Sequence, residues 1–161
     1  MNPTDPNLFP APPQLHPFTR VRCEVEGVVS LGAAPLGERR YVPLKGGSVV
    51  GPELNGRIVE GGVDWQIARA DGALDIDAHY VIEASDGALI EVRSQGVRHG
   101  PPEVMARLAA GEDVPASAYY FRTAVRLTTG APARAHLNQL LLLAVGCRQA
   151  RTVLLDFYRV G

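Results

Sequence analysis

The sequence predicts an all-β protein, a single antiparallel β-barrel of about 8–10 strands with one short helix near one end. Three observations carry that expectation. Strand-like alternation of apolar and polar residues recurs along most of the chain, glycine-rich or Asp-Gly turns separate the runs closely enough for hairpins, and one helix alone is clearly written. The centre of the pattern is residues 64–98, two hairpins in series in which Asp71-Gly72 and Asp86-Gly87 join three alternating runs.

Size and charge narrow the class. A chain of 161 residues is sized for one domain, and domains of this length bury roughly 68–70% of the surface their unfolded form exposes. Lys and Arg number 16 against 17 Asp and Glu, with no basic block, so the electrostatic footprint of a nucleic-acid binder is missing. Cys23 and Cys147 lie far apart and make neither a metal-like pair nor a disulfide framework, which predicts reduced thiols and a cytoplasmic protein. No signal-peptide pattern is present. The longest apolar run, Leu140 to Val145, is far short of the roughly 20 residues of a spanning helix, so no membrane association is expected.

Residues 1–17 hold six of the 13 prolines, Pro3, Pro6, Pro10, Pro12, Pro13 and Pro17, and read as an arm that cannot enter a sheet interior; the barrel domain is then 18–161. Phe18 to Val29 alternates as a half-buried strand with Val21, Cys23 and Val25 on one side. Residues 31–62 are punctuated by glycines, and the short segments Tyr41 to Leu44, Ser48 to Val50 and Arg57 to Val59 read as strands with bends at barrel corners. Gly46-Gly47 lacks the Lys-Ser/Thr and following helix of a phosphate loop, so its role is structural.

The helix opens at Pro101-Pro102-Glu103, carries Val104, Met105 and Leu108 as its apolar stripe and closes at Gly111. At about ten residues it must pack against something, and one end of the barrel is the natural place. Ala118 to Leu127 then reads as strand, Pro132 to Leu137 as one helical turn, and Asn138 to Val145 with Thr152 to Val160 as a final pair.

Specific motifs punctuate this frame: Leu31-Gly32, Arg39-Arg40, Gly61-Gly62-Val63-Asp64-Trp65-Gln66, Asp77-Ala78-His79-Tyr80, Asp86-Gly87-Ala88-Leu89-Ile90, Gly96-Val97-Arg98 and Tyr119-Tyr120-Phe121-Arg122-Thr123. In that order they resemble an uncharacterised family, domain of unknown function three-two-three-seven, from about residue 19 to 160. The resemblance implies an antiparallel β-barrel and no particular reaction. Where the family usually has Arg before Tyr80 this chain has His79, where it usually has an aromatic before Leu137-Asn138 it has His136, and where it favours Glu after Leu127 it has Thr128. Imidazole titrates nearest neutrality, so the two histidines are candidates for proton transfer or are surface residues.

Turn length decides which groups meet. A two-residue turn at Asp71-Gly72 pairs Asp64 with His79 and Gln66 with Asp77; a second at Asp86-Gly87 pairs Asp75 with Arg98 and His79 with Ser94. One face then carries Asp64, Gln66, Asp75, Asp77, His79, Ser94 and Arg98. If Ser85-Asp86-Gly87 is instead a three-residue loop with Gly87 left-handed, Ile82 pairs with Ile90 and Tyr80 with Val92, and a one-residue slip sends the acidic row to the opposite face. The reading adopted puts the polar face inward, because Asp64, Asp77 and Arg98 are among the motif residues of the resemblance.

With that face inward the candidate catalytic residues are Asp64, Asp77, His79 and Arg98, carboxylates and imidazole for proton transfer and a guanidinium for a developing oxyanion. Candidate ligand-binding residues are Arg40, Trp65, Ser94, Tyr120, Arg122, His136 and Asn138; parity would turn Trp65 and Phe121 away from Tyr120 and Arg122 and make them packing residues. Asp77 and His79 share one side of a strand but show no third ligand, so no metal site is assigned, and no dinucleotide fingerprint or nucleophile elbow is present, so no cofactor or covalent catalysis is assigned. Three functions follow: an acid–base enzyme of isomerase, lyase or cyclase type acting without a cofactor on a small, partly apolar metabolite, a non-catalytic carrier for an anionic or carbonyl-bearing metabolite, or a structural module that forms homo-oligomers through exposed strands.

Overall fold

A computed structural model describes residues 4–161. Pro3 of the predicted arm lies outside the described residues, and Leu15, His16 and Pro17 of that arm belong to the first strand. Ten strands follow one another: β1 (Leu15–Val25), β2 (Val29–Ala34), β3 (Gly37–Val50), β4 (Gly56–Ile58), β5 (Val63–Ala68), β6 (Leu74–Ala84), β7 (Leu89–His99), β8 (Tyr120–Thr128), β9 (Leu142–Arg148) and β10 (Thr152–Val160). One helix, α1 (Pro102–Ala109), and two 3-10 segments, Ala116–Ala118 and Pro132–Gln139, complete the elements among the described residues.

The strands close an eight-staved antiparallel barrel in the order β1, β10, β9, β8, β7, β6, β4 with β5, β3, and back to β1. β4 and β5 share one stave, each bridging β3 and β6, while β2 lies outside the ring and pairs with β3 alone. The three short segments expected between residues 41 and 59 resolve into the long β3, which bends at Gly46 and Gly47 (φ 141° and 147°), and β4. Pro17 sits at a register irregularity of β1, where a missing amide is tolerated.

Alternation sorts the side chains. Phe18, Ile82, Ile90, Leu127, Leu142 and Phe157 are almost fully buried in the main core, and Leu137 of the second 3-10 segment seals it. Each such side chain contributes about 1.5–3 kcal/mol by leaving water. At the opposite end α1 lies where the sequence expects it, with Leu108 packed beside Ile76, Val114, Tyr119 and Phe121. Among the described residues no helix is long and apolar enough to cross a membrane.

Both central hairpins use three-residue loops. At Ala70-Asp71-Gly72 the Arg69 amide donates to Ala73 O (2.9 Å) and Gly72 has φ 86°; at Ser85-Asp86-Gly87 the Ala84 amide donates to Ala88 O (2.8 Å) and Gly87 has φ 85°. In each, the aspartate side chain accepts from the amide two residues on. Two-residue turns of the expected type need positive φ at both central residues, and among the described residues no residue but glycine has it. Each expected register is therefore corrected by one residue: Asp64 pairs with Ala78 rather than His79, and Ala78 rather than His79 pairs with Ser94.

Candidate functional site

The two slips cancel between β5 and β7 but not on β6. Asp64 and Gln66 of β5 and Ser94 and Arg98 of β7 share the barrel interior, whereas on β6 the inward residues are Ile76, Ala78 and Tyr80. Asp75, Asp77 and His79 are outside. Asp77 accepts two hydrogen bonds from Arg93 at 3.0 Å each, and His79 Nε2 lies 2.9 Å from Glu91, both pairs in solvent.

The expected parity of β8 is also reversed. Phe121 and Thr123 point inward and are buried, so Tyr120 and Arg122 are on the exterior, where Tyr120 stacks on His99 and Arg122 lies over the Tyr120 ring. Trp65 faces outward against Tyr41 and Arg39. His136 is exposed on the second 3-10 segment, and Asn138 holds that segment to β8 by accepting from the Thr129 amide (2.7 Å) and donating to Thr129 O (2.9 Å). Neither joins Asp64. Arg40 does: its pairing opposite Gln66 turns it inward.

The interior cluster thus consists of Arg40, Asp64, Gln66 and Arg98 with three residues that sequence reasoning left without a role, Cys23, Tyr80 and Arg148. Extending the alternation Leu142, Ala144, Gly146 by one step would have found Arg148, and that of Ile76, Ala78, Ile82 would have found Tyr80. Arg40 Nε donates to Gln66 Oε1 (3.0 Å), and Gln66 Nε2 donates to Asp64 Oδ2 (2.7 Å). Asp64 Oδ1, Tyr80 OH, Arg98 Nε and Arg148 Nη1 are shielded from solvent without a hydrogen-bond partner. Ser94 and Thr123 satisfy each other at 2.7 Å, and Tyr119 OH accepts from the Arg148 amide at 2.7 Å.

Burial sets the electrostatics. It pushes the Asp64 carboxyl up to about 6, against the opposing pull of the Gln66 hydrogen bond and of Arg98 and Arg148. It pushes Arg98 down to about 10, with Arg148 adding repulsion, and the Cys23 thiol up to about 12. Tyr80 is likewise held neutral by burial. A carboxyl group in this state exchanges its proton near neutral pH, and guanidiniums beside it stabilise negative charge on an oxygen.

The chain belongs to the family described as protein of unknown function (DUF3237), which matches residues 13–160. It is 35% identical over 140 residues to a UPF0311 protein of Rhodopseudomonas palustris, covering 87% of this chain and 92% of that one. The crystal structure of a conserved protein of unknown function from Rhodopseudomonas palustris superposes with a TM-score of 0.90 at 33% identity, over 95% of this chain and 100% of that one. A hydroalkoxylation enzyme of Penicillium herquei is 45% identical over 49 residues, 30% of this chain and 32% of that one. The crystal structure of an enzyme from Penicillium herquei shares the fold, with a TM-score of 0.71 at 21% identity over 95% of this chain and 98% of that one.

Proposed function

We propose that this member of the DUF3237 family binds a small, partly apolar metabolite inside its barrel and carries out acid–base chemistry on it with its own side chains, of the isomerisation, dehydration or cyclisation kind. The observation that carries the reading is Asp64, an interior carboxyl group with one oxygen fixed by Gln66 and the other without a hydrogen bond, set among Arg40, Arg98 and Arg148, and burial pushes its pKa up to about 6. As carboxylate, Asp64 takes a proton from an acidic C–H while the electron pair passes into an enolate held by the guanidiniums. The carboxylic acid so formed returns the proton to a different atom, which gives isomerisation at carbon and dehydration at a departing hydroxyl. In a cyclisation the O–H and C=C π bonds break, C–O and C–H bonds form, and Asp64 carries the proton between them. The hydroalkoxylation activity named for the Penicillium herquei relative is an addition of this kind. The two free thiols, Cys23 and Cys147, fit a reducing compartment such as the cytoplasm.

The test is hydrogen–deuterium exchange in heavy water, followed by NMR, on a panel of small aryl ketones and 1,3-diketones. The wild-type protein is expected to accelerate exchange at the carbon next to the carbonyl, with a rate that rises through about pH 6 as Asp64 ionises. Asp64→Asn is expected to lose roughly 10²–10⁴-fold. Equal exchange in the two proteins overturns the role of Asp64. A non-catalytic carrier is the second reading, favoured by the excess of guanidiniums over carboxylate, and it requires binding in both proteins with exchange in neither.

A further inference from the structure

We infer that the ligand enters as an oxyanion conjugated to an apolar ring, seated inside the barrel with its charged oxygen between Arg98 and Arg148 and its ring against Ile76, Ala78 and Phe121. The inference deepens the reading of the interior as a site and rests on it.

The contrast between the two faces of the wall carries the argument. On the exterior, most arginines meet carboxylates, among them Arg20 with Asp156, Arg57 with Glu83, Arg93 with Asp77, Arg134 with Asp86 and Arg159 with Glu53, all within 3.2 Å, and those outside any such pair, Arg39, Arg122, Arg126 and Arg151, reach solvent. Among the described residues no interior arginine has such a partner. Arg98 is 7% exposed and lies over the Phe121 ring at 5.6 Å, with its Nε unpartnered. Arg148 spends Nη2 on Ala150 O at 3.4 Å and leaves Nη1 unpartnered. Asp64 cannot satisfy both, since it makes no ion pair with either and its Oδ2 is taken by Gln66.

Buried charge without a partner is costly, and the Arg148 charge adds repulsion at Arg98. One anion placed between them removes both penalties. The donors and the lining say which anion. The strand amides around it are spent in the sheet ladder, so no nest of free N–H groups awaits a phosphate, and the donors are side chains set in an apolar wall. Tyr80, 5% exposed with its hydroxyl unpartnered, supplies a further neutral donor. A planar ring bearing one carboxylate or phenolate oxygen matches that lining.

Calorimetric titration of the full chain with benzoate, 4-nitrophenolate, benzyl alcohol and inorganic phosphate tests this without any turnover. At least one of the two ring anions is expected to bind ten times or more tighter than benzyl alcohol and than phosphate, and whichever binds identifies the source of the charge. Arg98→Met and Arg148→Met are each expected to weaken that anion by about tenfold or more, the loss of a charge-assisted hydrogen bond. Arg126→Met on the exterior is the control, and thermal melting of each variant reports whether it is folded. Equal affinity for benzyl alcohol, phosphate binding as tightly as the ring anions, no binding of either ring anion, or undiminished binding in both folded interior variants overturns the inference. Failure of the deuterium exchange with anion selectivity retained overturns the catalytic reading alone.

Discussion

Gln66 Nε2 donates to Asp64 Oδ2 at 2.7 Å, joining two residues that stand two apart on β5 and share the barrel interior, while Asp64 Oδ1 is left without a hydrogen bond. The bond fixes the carboxyl group's orientation while its environment disfavours the charge. Because the pKa of Asp64 is raised from 3.8 to about 6, the folded state binds the proton more tightly than the unfolded chain. The contribution to stability is fully present below pH 4 and is lost as pH rises through about 6. The loss is about 3 kcal/mol at one pKa unit per 1.36 kcal/mol. Urea unfolding from pH 4 to 7.5 is expected to show this component of decline, and Asp64→Asn to remove it and to be the more stable protein above pH 7.

The exterior pairs predict the opposite behaviour. Asp77 and Arg93 meet in solvent, as do His79 and Glu91, so Asp77→Asn and His79→Ala are each expected to cost less than about 1 kcal/mol. Neither variant is expected to alter deuterium exchange at substrate carbon. A tenfold loss in either would bring β6's outer face into the reaction.

How much of this was legible in the sequence follows from where the information sits. The barrel, its closing helix and the hairpin order were written in alternation and turn residues, which act over a few neighbours. The composition of the site was written less fully, because it depends on register. An Asp-Gly pair fits the two central positions of a two-residue turn and also the last two of a three-residue loop. The choice depends on whether Asp71 and Asp86 adopt positive φ or instead cap the turn with their side chains. That difference moves His79 and Asp77 out and leaves Asp64, Ser94 and Arg98 in. Arg40 was assigned as ligand-binding from the sequence, but its link to Asp64 through Gln66 joins the neighbouring strands β3 and β5, whose pairing brings together residues far apart in the chain and follows from no local pattern.

The left-handed glycines give a direct measure of that turn chemistry. A Cβ on Gly72 or Gly87 would meet nothing within 4 Å, so the cost of Gly72→Ala or Gly87→Ala is conformational alone. Each is expected to lower stability by about 1–2 kcal/mol with an unchanged dependence on denaturant. Gly87→Asn is expected to recover part of the loss in the same urea titration, since asparagine tolerates the left-handed region.

Gly96 answers a different constraint, and its substitution tests whether the wall beside the site is as tight as the structure has it. It lies on β7 opposite Ile76 and Thr123, between the inward residues Ser94 and Arg98, with β8 so near that an added Cβ would overlap Arg122 O and come within 2.6 Å of Thr123 Cα. Both atoms are backbone, so no rotamer change relieves the overlap and the strand pair must part. Gly96→Ala is expected to cost about 2–4 kcal/mol, at the upper end of single-residue effects. Gly130→Ala, where nothing lies within 4 Å, is expected to stay within about 0.5 kcal/mol. The parting would also separate Ser94 from Thr123, which now share a 2.7 Å hydrogen bond, and would shift Arg98 relative to Phe121. At temperatures where Gly96→Ala remains folded, its affinity for a ring anion is therefore expected to fall while that of Gly130→Ala does not. An unchanged melting temperature in Gly96→Ala would mean that β7 and β8 are farther apart than this arrangement of the barrel allows.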